Sequence, residues 1–150
     1  MATEISFYQL TATDMRKSLP SLLEKVLSSG KRAVLLAANE SRLKEFDDML
    51  WTFSTNRVVP HGTPSDNYKE DQPVYLTIDE ENPNKADVLV VVDGQKPKFI
   101  KDFVRIIDIF NGRSENDLTA ARERWKEYKT KDFTLTYWKQ DDKGSWEKAA

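Results

Sequence analysis

Cysteine is absent from the 150 residues. That excludes a disulfide, a thiolate nucleophile and any cysteine-based metal site. Histidine occurs once, at His61, so a multi-histidine metal site within one chain is excluded as well. Apolar runs are short. Val88 to Val92 falls far below the roughly 20 residues that a membrane-spanning helix needs. Met1 to Leu10 lacks a basic start followed by an apolar stretch and does not read as a signal peptide. These absences predict a cytoplasmic protein with no membrane contact. A basic surplus is also missing. The net charge of -2 argues against broad electrostatic binding to a nucleic-acid backbone, so little direct affinity for naked single-stranded DNA is expected.

What is present reads as one domain spanning 1–150. Hydrophobic residues make up 39% and charged residues 32%, a balance that supports a folded core rather than disorder, and the length is enough to bury one without staples. Glu4 to Leu10 alternates as a strand does. Leu19, Leu22, Leu23, Val26 and Leu27 fall at helical spacing, with Gly30 as a stop. The spacing predicts a helix from about Leu19 capped by Ser18, with Pro20 in its first turn and Asp14 to Lys17 as a separate helical turn. Arg32 to Ala38 is a continuous apolar run that suits a strand buried on both faces, and Ala86 to Val92 reads as another buried strand. Asn39 caps a helix whose apolar face is Leu43, Phe46, Met49 and Leu50.

Pro60 to Pro73 is a loop by composition, and Pro73 to Ile78 a short strand. Asp79 to Lys85 is a polar turn. Phe99 to Arg105 reads as a short helix, Ile106 to Phe110 as a strand, and Ser114 to Lys129 as a helix capped by Ser114. Phe133 to Lys139 is a last strand, and about 140–150 a polar tail holding Trp146. Helices alternating with strands predict an α/β fold with a mainly parallel sheet and helices on both faces.

Such folds often hold nucleotides, at glycines following the first strand. Here that turn reads Thr11-Ala12-Thr13-Asp14, with no glycine and a carboxylate that would repel phosphate. No phosphate-loop motif occurs elsewhere, so no cofactor is expected. His61 lacks any recognisable nucleophile signature and reads as a turn histidine. Asp79, Glu80 and Glu81 are consecutive, which seldom lets carboxylates converge on one cation, and read as a solvated turn.

The most informative stretch is Ala121 to Lys129. On a helix, Arg122, Trp125, Lys126 and Lys129 share one face. Basic stems covering a packed aromatic would explain this stripe. So would a site for an acidic peptide, in which arginine pairs a carboxylate and the aromatic walls an apolar slot. Spacing alone does not choose between them, and it favours a core position for Trp51.

Leu50-Trp51, Val58-Val59-Pro60-His61, Ala86-Asp87-Val88-Leu89, Asp108, Ala121-Arg122-Glu123-Arg124-Trp125-Lys126-Glu127-Tyr128 and Leu135-Thr136-Tyr137-Trp138 occur in this order. Together they resemble the chi subunit of the bacterial DNA polymerase III holoenzyme, over roughly residues 4–148. The resemblance implies a Rossmann-like three-layer α/β/α fold that lacks the nucleotide-binding glycine motif. It implies a non-catalytic replication subunit with two partners. One is single-stranded-DNA-binding protein, held through its acidic, Phe-ended C-terminal tail. The other is the psi subunit, which links chi to the clamp loader. Matched position by position, the tail would be held by Arg122, Trp125 and Lys126, with Phe110 and Lys139 at neighbouring pocket positions and Trp51 close by. The rival expectation is a small α/β enzyme acting on a nucleotide or phosphoester. It requires a cleft with convergent titratable groups at the C-terminal ends of the strands.

Overall fold

A computed structural model describes residues 3–150. Seven strands form one sheet: β1 (Glu4–Leu10), β2 (Ala33–Leu36), β3 (Val74–Thr77), β4 (Val88–Val91), β5 (Arg105–Asn111), β6 (Thr134–Gln140) and β7 (Trp146–Lys148). Their order is β3-β2-β4-β5-β1-β6-β7, and only β7 runs antiparallel to its neighbour. Three helices, α1 (Met15–Ser28), α2 (Glu40–Thr52) and α3 (Glu115–Lys129), cover it. The fold is therefore the expected mainly parallel α/β arrangement.

The central strands read as unbroken apolar runs because both faces are buried. Leu35 and Val90 point to one core with α1 (Leu19, Leu23) and α2 (Phe46, Leu50). Val34, Leu89, Ile5 and Phe7 point to the other, beneath Ala121 and Tyr128 of α3 and the crossover residues Ile100 and Phe103. The sheet thus separates α1 and α2 from α3. The caps on α2 and α3 are the expected ones: Asn39 accepts the Arg42 amide and Ser114 accepts the Asp117 amide.

Three sequence expectations need correction. Residues 15–28 form one helix whose cap is Asp14, accepting from the Lys17 amide, with Pro20 inside it. The cap and the packing of Leu19, Leu22 and Leu23 outweigh the hydrogen bond Pro20 cannot donate. Ser18, expected as the cap, is instead buried. The predicted helix Phe99 to Arg105 is a single 3-10 turn, Ile100–Asp102. Asp87 carbonyl accepts both the Val104 and Arg105 amides, which draws the chain into β5. The tail, read only as polar, adds a strand: the chain turns back after Gln140 and Trp146–Lys148 pairs with β6 as β7. The 60–73 loop also touches the sheet, where Gly62 forms a parallel bridge with Tyr75.

Burial pushes the Tyr128 phenol up to about 12 from its ordinary 10.0, and burial likewise raises Tyr75. Their folded values lie above the unfolded ones, so the stabilisation is complete below the unfolded pKa and is lost as pH rises. Urea midpoints should hold up to about pH 9 and then fall as pH climbs towards about 12. Tyr128→Phe should make that fall shallower; an unchanged alkaline profile in this variant would contradict the assignment.

Candidate functional site

The site is assembled on α3. Arg124 lies three residues after Ala121 and four before Tyr128, which places it on the buried stripe of the helix. It donates two bonds to Asp108 of β5, Nε to Oδ2 at 2.8 Å and Nη2 to Oδ1 at 3.0 Å. Both side chains are almost fully buried. Burial pushes the Asp108 carboxyl above its ordinary range, and the bonds and charge of Arg124 pull the other way. The guanidinium also lies over the rings of Phe7 and Phe110. This clamp fixes the rotation of α3 on the sheet, and so decides which residues face outward.

One residue on, Trp125 is half-buried, edge-on to Phe7 at 5.4 Å and to Tyr137 of β6 at 5.6 Å. The Tyr137 hydroxyl donates to Gln9. Beside these rings opens a shallow cavity of about 590 Å³. Arg122, Lys126 and Lys139 surround it, Trp125 and Tyr137 form its aromatic wall, and Leu118 adds an apolar side chain. Burial raises the Tyr137 phenol, opposed in part by the nearby Arg122 charge. Arg122 and Lys139 make no ion pair among the described residues, and Lys126 approaches only Glu123, at 4.0 Å on the exposed surface, which is worth little. The cavity therefore presents cations without partners around an apolar slot, a combination suited to an acidic peptide with one apolar anchor.

Four of the six residues singled out in the sequence, Arg122, Trp125, Lys126 and Lys139, meet at this cavity. Phe110 does not line it. Phe110 is buried beneath it, 6.2 Å from Tyr137. Trp51 belongs elsewhere, because α2 packs on the opposite face of the sheet. It is 55% exposed, which also corrects the core position that spacing favoured, and its ring lies 4.6 Å from His61. His61 is buried, and its two nitrogens face Val59 carbonyl at 2.8 Å and Asp47 at 2.7 Å, so neither is free to meet a substrate. Sequence reasoning did not pair Arg124 with Asp108, although its place on the inward stripe was a readable signal. It also missed Tyr137 as a wall residue and Gln9 behind it.

A second opening of about 520 Å³ lies over the C-terminal ends of the strands, where an enzyme of this architecture would work. Two of its arginines are held by carboxylates, while Asp14, Arg113 and Asp117 line it without an ion pair among the described residues. Arg42 donates twice to Asp93 at 3.0 Å and once to Glu45 at 2.6 Å, and Arg124 is held by Asp108. Among the described residues, no group of three or more His, Asp or Glu side chains is placed to hold a metal ion. No helix there is long and apolar enough to cross a membrane.

The sequence model of the family described as DNA polymerase III chi subunit, HolC, matches residues 2–136. The chain belongs to this family. It is 29% identical over 157 residues to the probable DNA polymerase III subunit chi of Rickettsia prowazekii (strain Madrid E), covering 98% of this chain and 92% of that protein. It is 26% identical over 136 residues to the DNA polymerase III subunit chi of Pseudomonas aeruginosa (strain PAO1), covering 89% and 94%. Chi-family membership associates the chain with the DNA polymerase III holoenzyme and with DNA replication. The family match includes β1, β5 and α3 with the Asp108–Arg124 clamp, and it ends before the Tyr137 wall and β7.

Proposed function

We propose that this chi-family chain is a non-catalytic, cytoplasmic adaptor that holds the acidic, Phe-ended C-terminal tail of single-stranded-DNA-binding protein and links it to the clamp loader. The observation that carries the reading is the set of unpartnered cations, Arg122 and Lys139 with the loosely held Lys126, around the Trp125–Tyr137 slot. The tail's carboxylates would meet the cations while its phenylalanine enters the slot. Holding the tail keeps the polymerase machinery beside coated template, and no bond is made or broken. Over the strand ends, Arg42 and Arg124 are already engaged by Asp93 and Asp108, which favours this reading over the enzymatic one.

An adaptor needs a second surface that does not overlap the first. Trp51 and Tyr68 are both exposed and border one groove across the sheet from α3. This is where the chain would join the psi subunit and, through it, the clamp loader. The test is calorimetry with the tail peptide of the host's single-stranded-DNA-binding protein. One apolar anchor with partly exposed ion pairs suggests a micromolar dissociation constant, about -8 kcal/mol, weakened by added salt. Trp51→Ala should leave this affinity unchanged while reducing co-purification with psi. Absence of peptide binding at tens of micromolar, or tight salt-dependent binding of an oligothymidylate in its place, would defeat the proposal.

A further inference from the structure

Residues 141–150 lie beyond the family match, yet they build part of the cavity on α3. Ala149 and Ala150 line it together with Arg122, Trp125 and Tyr137. They are held there by the sheet: Ala149 amide donates to Tyr137 carbonyl at 2.7 Å, and Tyr137 amide donates to Ala150 carbonyl at 3.1 Å. The turn that brings them back is tightly bonded. Asp141 accepts the Lys143 and Ser145 amides, both at 2.9 Å, and Gly144 adopts a positive φ of 86°. On the far side of the sheet Trp146 meets Tyr8 edge-on at 4.9 Å. Gln140, next to the turn, accepts the amides of Thr11, Ala12 and Thr13. This segment is a fixed wall.

The register decides what the wall presents. Lys139 stands opposite Glu147, and Trp138 opposite Lys148. Directly opposed residues on antiparallel strands share a face, and alternate residues along a strand share a face. Glu147 and Ala149 therefore lie on the α3 side with Lys139 and Tyr137, whereas Trp146 and Lys148 lie on the other. The α3 side of β7 thus brings a carboxylate beside one of the cavity's cations and a methyl group beside its aromatic wall.

We propose that the hairpin 141–150 sets the width and charge of the tail site, with Ala149 keeping the slot open and Glu147, opposite Lys139 but not ion-paired with it, repelling the tail's carboxylates. This rests on the reading of the cavity as a site for an acidic, Phe-ended peptide. A larger side chain at 149 projects into the space between β7 and α3 that the peptide's apolar anchor needs. A neutral residue at 147 removes a negative charge that repels the peptide's carboxylates.

Calorimetry with the tail peptide tests both halves. Ala149→Trp should bind about tenfold more weakly, the scale expected of overfilling a packed slot. Glu147→Gln should bind about threefold more tightly, the scale of one exposed charge interaction, and that gain should shrink as salt is raised. Ala149→Leu serves as the milder companion if Ala149→Trp disturbs folding by circular dichroism. Suppose Arg122→Ala loses the peptide while folded Ala149 and Glu147 variants bind as wild type does. The hairpin is then not part of the site, and the reading of the cavity stands. If Arg122→Ala also binds normally, the cavity is not the tail site and the hairpin proposal falls with it.

Discussion

Arg124→Ala should be the most destabilising single change, by about 3–5 kcal/mol, the usual cost of removing one partner from a buried ion pair. The substitution leaves the Asp108 carboxylate in a site where both side chains are nearly inaccessible, with the two bonds of 2.8 Å and 3.0 Å gone. A domain of this size has only about 5–15 kcal/mol of stability to lose, so the melting temperature should drop by about 10 °C or more. The loss should depend on pH in a defined direction. Burial already raises Asp108, and without Arg124 nothing among the causes that lower it remains. A carboxyl raised in the folded state is tolerated when protonated and costs stability as pH rises through its folded value. The variant should therefore be closer to wild type in acid than at neutral pH. Replacing both partners, as in Asp108→Leu with Arg124→Met, should recover most of the stability, because well-packed apolar side chains remove the unpaired charge altogether. Urea melts of the three proteins at two pH values decide the matter. A small, pH-independent loss in Arg124→Ala would show that the pair does not clamp α3 to β5.

The sheet was legible where burial on both faces leaves only one kind of residue. Ala33 to Leu36 and Val88 to Val91 carry no polar side chain, and nothing but a central strand suits them at that length. The starts of α2 and α3 were legible because Asn39 and Ser114 precede the helical spacing and act locally. The start of α1 was not, since Pro20 mimics a first-turn proline while Asp14 already caps the helix six residues earlier. Phe99, Ile100 and Phe103 have helical spacing, but the short path from β4 to β5 and the Asp87 carbonyl leave room for a single turn. The hairpin 141–150 is polar and short, and its pairing depends on an edge of β6 that the local sequence does not reveal.

The misplacement of Trp51 has the same origin. The faces on which helices lie follow from strand order, because crossovers between parallel strands are right-handed. The steps from β1 to β2 and from β2 to β3 run one way along the sheet, and the step from β5 to β6 runs the other way. That reversal puts α2 and α3 on opposite faces. Strand order is a property of the whole chain, so no reading of residues around Trp51 alone could have placed it. The stripe of Arg122, Trp125 and Lys126, by contrast, lies within one helix, and helical periodicity was enough to group it.

Arg122→Ala should weaken binding of the tail peptide by about thirtyfold, near 2 kcal/mol, the scale of one charge-assisted hydrogen bond at a partly buried site. Among the residues around the cavity this one isolates the charge. Trp125→Ala would remove a ring packed on Phe7 at 5.4 Å and Tyr137 at 5.6 Å, and any loss of binding would be mixed with loss of packing. Lys126 is three-quarters exposed beside Glu123, so Lys126→Ala should cost less, about threefold. Arg122 is exposed and makes no ion pair among the described residues, so its removal costs the fold almost nothing. Its planar fork can take a carboxylate with two parallel bonds, which a lysine cannot do. Arg122→Lys should accordingly recover only part of the affinity, while keeping the charge and its salt dependence. Calorimetry measures each affinity, and circular dichroism with a thermal melt confirms that the variants fold as wild type does. If folded Arg122→Ala binds the peptide as tightly as wild type, the basic stripe of α3 is a solvated surface and the tail must be sought on another face.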